Sequence, residues 1–498
     1  MRSITLQLYR LWAAAGEHKF LFIFLAVWVA VVLLAGIPYG DLSGYDDAVY
    51  AHEARAMLQS GDIWTLNLNG ATDFDKPPLF IWLVALSFKL FGVTDLAAKV
   101  PAVLCGWASV MLVYFLVKEL YPAEPDDETS GEWLPAAAML AMATLQYFLK
   151  YSSHVMTDVP YTFFYPIAIY FYVRGLKNGL FLLAAGAATG LAELIRSPMG
   201  LFPLAVIVLH LAFTRRWRKL MSPYLLGCVG LALAIPAVWY FREYSLFGPV
   251  FIDRHLANLA AHSAAAVPLT GWQRFAGLFE YFTLAARQCL PWFPFALFGL
   301  YAACRRLISR RGTADALLVI WLLVIVVPFS IAEIKVLRYI MAAFPVMAIL
   351  SACALIGLIS RDRMRLVSCI AVLLLVVVGV MTIVSPRYLM RAEDMRVIGP
   401  VSDASTAEGD TVVLYTGGEL QYNFANQLFW YGHRHVIHVT DIDEIPRRLA
   451  ASGPQVVVID RQSFHRLLEG KLANFAILGR SADFLCIRVR AVQPAPGA

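Results

Sequence analysis

Apolar residues in this chain gather into long runs rather than into faces. A helix that crosses a bilayer needs about 20 of them, within a range of roughly 17–25. Stretches 19–38, 96–117, 133–149, 157–173, 178–194, 198–213, 222–241, 275–303, 314–332, 336–358 and 366–385 come near or meet that length, so eleven spans are predicted, within a range of 11–13. The first run is too long in its apolar core, and too poor in small residues after it, to be a cleavable signal. A twelfth stretch, 79–91 (LFIWLVALSFKLF), is short for a span and carries Lys89, which predicts an interfacial or re-entrant helix. From about residue 386 the pattern changes. Strand-like runs at 411–417, 435–441, 455–461 and 483–490 alternate with helix-like 419–431, 442–452 and 462–470. That alternation predicts a small α/β domain with a mostly parallel sheet. The expected fold is therefore an α-helical polytopic membrane protein, residues 1–385, followed by an extracytoplasmic α/β domain, residues 386–498.

Composition strengthens the membrane reading. Of 498 residues 60% are hydrophobic and 15% charged, and the mean hydropathy is +0.65. Soluble globular chains run at roughly 45–50% apolar and about 25% charged, so a soluble globule, a disordered chain and a coiled coil are excluded. The net charge of +6 has its source in the loops. Arg2, Arg10, Lys19, Lys118, Arg174, Lys177, the Arg215–Lys219 cluster, Arg305-Arg306, Arg310-Arg311, Arg361, Arg363 and Arg365 fall in alternate connections. By the positive-inside rule these are cytoplasmic. Loop 39–78, the turns near 150–156 and 195–198, loop 242–274, the turn at 331–338 and everything after 386 then share the opposite face. No basic run is interleaved with base-stacking aromatics, so no nucleic-acid partner is expected. The seven cysteines show no CxxC spacing, which encodes neither a disulfide framework nor a zinc module.

Loop 39–78 carries the densest chemistry. Tyr50, Ala54, Met57 and Leu58 make one apolar helical face, Gly61 is a stop, and Asp46 and Asp47 fall in the first turn. Acids there cap the helix and favour its positive end; the alternative is that one of them faces a substrate. Further on, Asp75-Lys76-Pro77-Pro78 holds an acid and a base beside two prolines that fix the backbone. This is either a rigid turn with an interfacial lysine or a pair presented to a ligand.

The order of these motifs, from Asp46-Asp47 through Ser60-Gly61-Asp62 to Asp75-Lys76-Pro77-Pro78-Leu79, resembles the protein mannosyltransferase and aminoarabinose (lipid A) transferase families. These are C-type membrane glycosyltransferases that use polyprenyl-phosphate sugars. The resemblance continues through Phe91-Gly92 to Lys99-Val100-Pro101, Thr157-Asp158-Val159-Pro160, Glu193 to Gly200 (ELIRSPMG), Leu290-Pro291-Trp292, and Phe329-Ser330 to Lys335, Arg338, Tyr339 and Pro345. Lys99 replaces an Arg of the family pattern, Ser197 a Gly and Asp47 a Glu. Val49, Asn258 and Ala260 stand where basic residues are frequent. The resemblance implies that Asp46 serves the acceptor and that Asp75 and Lys76 face the active cavity. It also implies that Asp75 binds a divalent metal, zinc or similar, with a histidine from a later loop, here His255 in Phe251–Leu256.

The chemistry of such a transfer suits these residues. An inverting displacement needs a carboxylate to orient or deprotonate the acceptor and cations on the departing phosphate. Asp46 and Asp47 are the candidate carboxylates. Lys76, Arg196, Lys335 and Arg338, with Tyr339, are the candidate phosphate-binding groups, although Lys and Arg at helix ends also snorkel to the interface. Glu193 near a span end is a further ionisable suspect. The expected partners are a polyprenyl-phosphate sugar donor, membrane lipid, and a lipid, glycan or protein acceptor. The expected location is the bacterial inner membrane with the site on its periplasmic face. A transporter or flippase of lipid-linked sugars is the competing class, but the chain lacks internal repeats.

Overall fold

The computed structural model describes residues 17–36, 42–43, 46–122, 128–261, 270–310, 313–359, most of 372–379 and most of 394–489. The chain forms two compact units: Met1–Gly36 with Phe74–Phe80 and Val100–Val384, and Ile37–Asp73 with Ile81–Lys99 and Ser385–Ala498.

The first unit is a helical bundle whose apolar positions are not confined to one face. In Glu17–Gly36, Leu21, Leu25, Val29 and Leu33 are buried while Ile23, Val27, Val31 and Leu34 form an exposed stripe. A helix that is apolar all round suits a lipid surround. Among the described residues, Asp95–Leu120, Pro223–Phe247, Thr313–Ile331 and Leu337–Leu358 are long and apolar enough to cross a membrane, with shorter apolar helices such as Leu180–Glu193 and Met199–Phe213 beside them. The protein is a polytopic helical membrane protein. Close packing comes from small residues: a Cβ on Gly186 would lie 2.2 Å from the Cys228 carbonyl, and one on Gly190 would lie 3.1 Å from the Leu231 carbonyl. Leu180–Glu193 and Pro223–Phe247 thus meet along a Gly-xxx-Gly ridge, the usual way for helices to associate where lipid removes the hydrophobic drive.

The expected single span over 275–303 is corrected. That run divides into Gly271–Gly277, Glu280–Gln288 and Trp292–Arg310. Polar residues at Glu280, Arg287 and Gln288 interrupt it, and Pro291 lacks the N–H that a continuous helix would use. The predicted run at 366–385 lies mostly outside the described residues.

The second unit gathers the first loop with the carboxy-terminal sheet. Asp46–Ser60 is the expected helix, closed by Gly61 at φ +73°, whose N–H donates to the Met57 carbonyl. Its inner face is wider than the apolar pattern implied: Tyr50, Ala54 and Met57 are buried along with Asp47, Glu53 and Arg55, whereas Leu58 is exposed. A hairpin then pairs β1 (Leu66–Leu68) with β2 (Ala71–Asp73) around Asn69-Gly70, both at positive φ, as a two-residue I′ turn requires.

The sheet comprises β3 (Thr411–Tyr415), β4 (His435–Val439), β5 (Val456–Asp460), β6 (Phe475–Arg480) and β7 (Phe484–Val489), in the order β4-β3-β5-β7-β6. β3 runs parallel to β4 and β5, but β7 is antiparallel to both β5 and β6. The sheet is thus mixed, a correction to the mostly parallel expectation. Three residues separate β6 from β7, and so short a connection permits only an antiparallel pair.

Polar bonds fasten the first loop to the sheet domain inside this unit. Arg55 donates to the Trp430 and Phe429 carbonyls at 2.8 and 2.6 Å, at the end of the Gln421–Tyr431 helix, and stacks on Trp430 at 5.0 Å. Asp95 accepts from Trp430 Nε1 at 2.6 Å and from the Tyr431 hydroxyl at 2.9 Å. The Asn69 amide donates to the Val436 carbonyl at 3.2 Å.

Candidate active site

Charged residues of the first unit collect at helix ends. Asp158 begins Asp158–Gly175 and is only 2% exposed. Its carboxylate pairs with Arg196, which follows Leu180–Glu193, and lies 3.7 Å from Arg338 Nε in the 3-10 segment Leu337–Ala343. Arg196 and Arg338 both lie over the Tyr339 ring, at 4.9 and 5.8 Å from its centre. Two residues predicted as phosphate-binding, Arg196 and Arg338, therefore meet on one carboxylate, with a third, Tyr339, against both guanidiniums. Two guanidiniums against one carboxylate leave an excess positive charge, suited to an anion.

The turn that carries Arg196 is itself held. Tyr161 donates to the Met199 carbonyl at 2.7 Å. Gly200 has no room for a side chain, because a Cβ there would lie 2.2 Å from Glu193 Cα. The Tyr240 hydroxyl donates to Ser197 Oγ at 2.5 Å, with Glu193 Oε1 at 3.4 Å and His255 Nε2 at 3.5 Å.

Asp75 and Lys76 form an ion pair at 2.7 Å. Their turn is pinned at both ends: Leu79 N–H donates to the Leu194 carbonyl at 3.0 Å, and the Phe74 carbonyl lies 2.7 Å from His255 Nδ1. Phe74 packs edge-on against Phe247 and Phe251. Burial lowers the basicity of His255; the bond to Phe74 and the Asp75 charge raise it, and Lys76 lowers it further, with a net shift downward.

Lys335 is placed differently from the arginines. It donates to the Ala332 carbonyl and lines a cavity of about 720 Å³ with Arg274, Glu280 and Glu333. Burial lowers its basicity, opposed by Glu280 and Glu333. The structure thus brings Arg196, Arg338 and Tyr339 together and sets Lys335 in this cavity instead.

Asp46 and Asp47 belong to the second unit. Asp47 is fully buried and accepts from the Ser43 N–H at 3.2 Å, closing the turn before its helix. Asp46, beside it, is partly exposed.

The metal expectation rests on Asp75 and His255. A bond from Nδ1 to the Phe74 carbonyl leaves Nε2 as the ring's acceptor, the tautomer that ligates metals. The donor set is nevertheless short. Asp75 is engaged by Lys76, and no group of three His, Cys, Asp or Glu side chains that could hold an ion occurs among the described residues. Zinc favours four ligands, three of them from protein even in catalytic sites. These residues do not fit a resident metal.

Sequence reasoning missed the role of Asp158, although the Thr157–Pro160 motif was visible. The signal was an acid at the entry to a span, costly unless paired. Tyr240 had no signal: one tyrosine within an apolar run reads as an interfacial residue.

Residues 75–240 match the sequence model of the dolichyl-phosphate-mannose-protein mannosyltransferase family. The crystal structure of ArnT from Cupriavidus metallidurans bound to undecaprenyl phosphate superimposes with a TM-score of 0.72 at 18% identity, covering 96% of this chain and 100% of that one. In sequence, the chain is 27% identical over 340 residues to an uncharacterized protein of Aquifex aeolicus, covering 66% of this chain and 63% of that protein. It is also 27% identical over 340 residues to the undecaprenyl phosphate-alpha-4-amino-4-deoxy-L-arabinose arabinosyl transferase of Pseudomonas aeruginosa, covering 66% of this chain and 57% of that one. These alignments span about six-tenths of the relatives' length.

Proposed function

We propose that this protein is a glycosyltransferase of the bacterial inner membrane, transferring a sugar from a polyprenyl-phosphate donor to an acceptor at the periplasmic face with inversion. The observation that carries the reading is the pair Arg196 and Arg338 on the buried carboxylate of Asp158. A guanidinium presents two parallel donors to phosphate oxygens. Two of them, fixed before the reaction, stabilise the charge that grows on the phosphate as the glycosidic bond breaks. Lys76 adds a point charge, and Tyr339 supports both guanidinium planes.

On the acceptor side Asp46 is the carboxylate that orients or deprotonates the incoming nucleophile, while Asp47 shapes the turn behind it. Lipid A, another glycan or a protein is the acceptor class, and a polyprenyl-phosphate donor is in keeping with the undecaprenyl phosphate in the name of the Pseudomonas aeruginosa relative.

The test is transfer by purified protein from a panel of polyprenyl-phosphate sugars, read by mass spectrometry of lipid A, glycan and peptide acceptors. Transfer by the wild type, with Asp46→Asn well folded and slowed by about 10²–10⁴-fold, is the expected outcome for loss of a general base. Asp46→Asn keeps most capping ability, so near-normal transfer would remove Asp46 from the role. No transfer from any donor by well-folded wild type would overturn the whole reading.

A further inference from the structure

We propose that His255 is a positioning residue for the Asp75–Lys76 turn, gripping it through the Phe74 carbonyl, and that Tyr240 links this grip to the turn carrying Arg196. The proposal rests on the transferase reading of the same site and assigns His255 a task other than metal binding.

A carbonyl can only accept, so at 2.7 Å the bond to Phe74 puts the proton on His255 Nδ1. The ring is buried to 4% exposure and caged by aromatics: Phe251 stacks on it at 5.9 Å and 22°, and Trp239 and Tyr240 meet it at 6.1 and 5.7 Å. Phe251 lies four residues earlier on the same Pro249–Ala261 helix, one turn away. A ring held on this many sides has a fixed direction, and so does the carbonyl it binds. That carbonyl immediately precedes Asp75 and Lys76, whose far end is fixed by the Leu79 bond to Leu194.

The other side of the ring continues the connection. His255 Nε2 faces the Tyr240 hydroxyl at 3.5 Å, and Tyr240 donates to Ser197, the neighbour of Arg196. A phenol has one proton, so Tyr240 serves one of its acceptors at a time. Glu193 Oε1, 3.4 Å from the same hydroxyl, ends this row of polar atoms. One ring and one phenol thereby register the turns of Lys76 and Arg196 to each other. A misplacement of about 1 Å can cost on the order of 10²-fold in rate, which is the scale of effect a positioning residue commands.

His255→Asn and His255→Gln separate the two tasks of the ring. The Asn amide nitrogen reaches the place of Nδ1, the Gln amide nitrogen that of Nε2. In the full-length protein, backbone hydrogen exchange across 74–80 stays slow in H255N and accelerates in H255Q and H255A. Transfer follows the same order: kcat falls on the order of 10²-fold in H255Q and H255A, H255N recovers most of it, and KM for the acceptor is unchanged in all three. Chelator-treated wild type keeps its activity. A folded H255N that exchanges like H255A, or one metal ion per wild-type chain that is lost from H255N and H255Q alike, would overturn the proposal. If exchange separates the variants but wild type transfers nothing from any donor, the grip stands and the transferase reading fails.

Discussion

Two ways of holding charge appear in the two units. In the first unit, Asp158 is nearly inaccessible and its partners Arg196 and Arg338 arrive from other helix ends, 38 residues away in the case of Arg196. Apolar surface and small residues such as Gly186 and Gly190 hold the helices, and the ions collect where the helices end. In the second unit the fastening itself is polar. Arg55 and Asp95 bind backbone and side-chain groups of the Gln421–Tyr431 helix across more than 330 residues of sequence. The contrast follows from solvent. Lipid forbids unpaired charge along a helix, so ions concentrate at ends and become available for chemistry. Where a helix carries fewer apolar residues, as Asp46–Ser60 does, charge-assisted hydrogen bonds can serve as joints.

The sharpest way to break the comparison is Asp158→Asn. Removing one partner of a buried ionic group leaves uncompensated charge and typically costs about 3–5 kcal/mol. Here two arginines would lose their anchor, so the expected result is a large fall in thermal stability of the purified protein. Transfer activity should be lost even at temperatures where the variant stays folded. A variant as stable as wild type would mean that solvent or lipid already satisfies the arginines, and that the cluster is held by packing alone.

Arg55→Met tests the other joint, with a smaller effect. Two carbonyls at the end of Gln421–Tyr431 lose their donor, and each unsatisfied buried group costs about 1–3 kcal/mol. Hydrogen exchange should quicken in 46–60 and 421–431 while 158–175 in the first unit keeps its protection. Asp95→Asn retains an acceptor oxygen, so its effect on the same peptides should be milder, nearer the roughly 1 kcal/mol of one hydrogen bond. Equal loosening of 158–175 in either variant would contradict the separation of the two modes.

The same contrast governs what the sequence could reveal. Spans are legible because lipid imposes length and apolarity on every one of them, and the apolar runs recover the helix at Pro223–Phe247 within two residues at the start. The run at 275–303 misled because averaged apolarity hides Glu280, Arg287 and Gln288, where helices end. The strands β3, β4, β5 and β7 were legible from their β-branched runs. β6 was missed, because Phe475–Arg480 is half-exposed, ends in Gly479-Arg480 and lacks the same density. The hairpin at Asn69-Gly70 was legible in principle, since that dipeptide is a strong turn signal, but its three-residue strands offer almost no periodicity. Among site residues, Arg196, Arg338 and Tyr339 were reachable through their motifs. Asp158 was reachable only as a motif, since a carboxylate's task depends on which distant arginines fold onto it.

The smallest expected effect is a pH dependence confined to the second unit. His52 lies on the Asp46–Ser60 helix with its Nδ1 at 3.0 Å from Arg55 Nη2 and its Nε2 at 3.5 Å from the Asn69 N–H. Burial, then the Arg55 charge, lowers its pKa from 6.5 to about 4, with His435 and His433 acting in the same direction and the Phe429 carbonyl opposing them. A group whose folded pKa is depressed stays neutral in the fold while the unfolded chain takes up a proton, so acid favours unfolding. The contribution is steady above pH 6.5 and declines as pH falls from 6.5 towards about 4. Hydrogen exchange of 46–60 should therefore be faster at pH 5 than at pH 7 after correction for the intrinsic chemical rate. His52→Gln, which has no proton to gain, should remove that difference while leaving the Asp158 cluster unaffected. If the variant loosens in acid as much as wild type, the sensitivity belongs to a group other than His52.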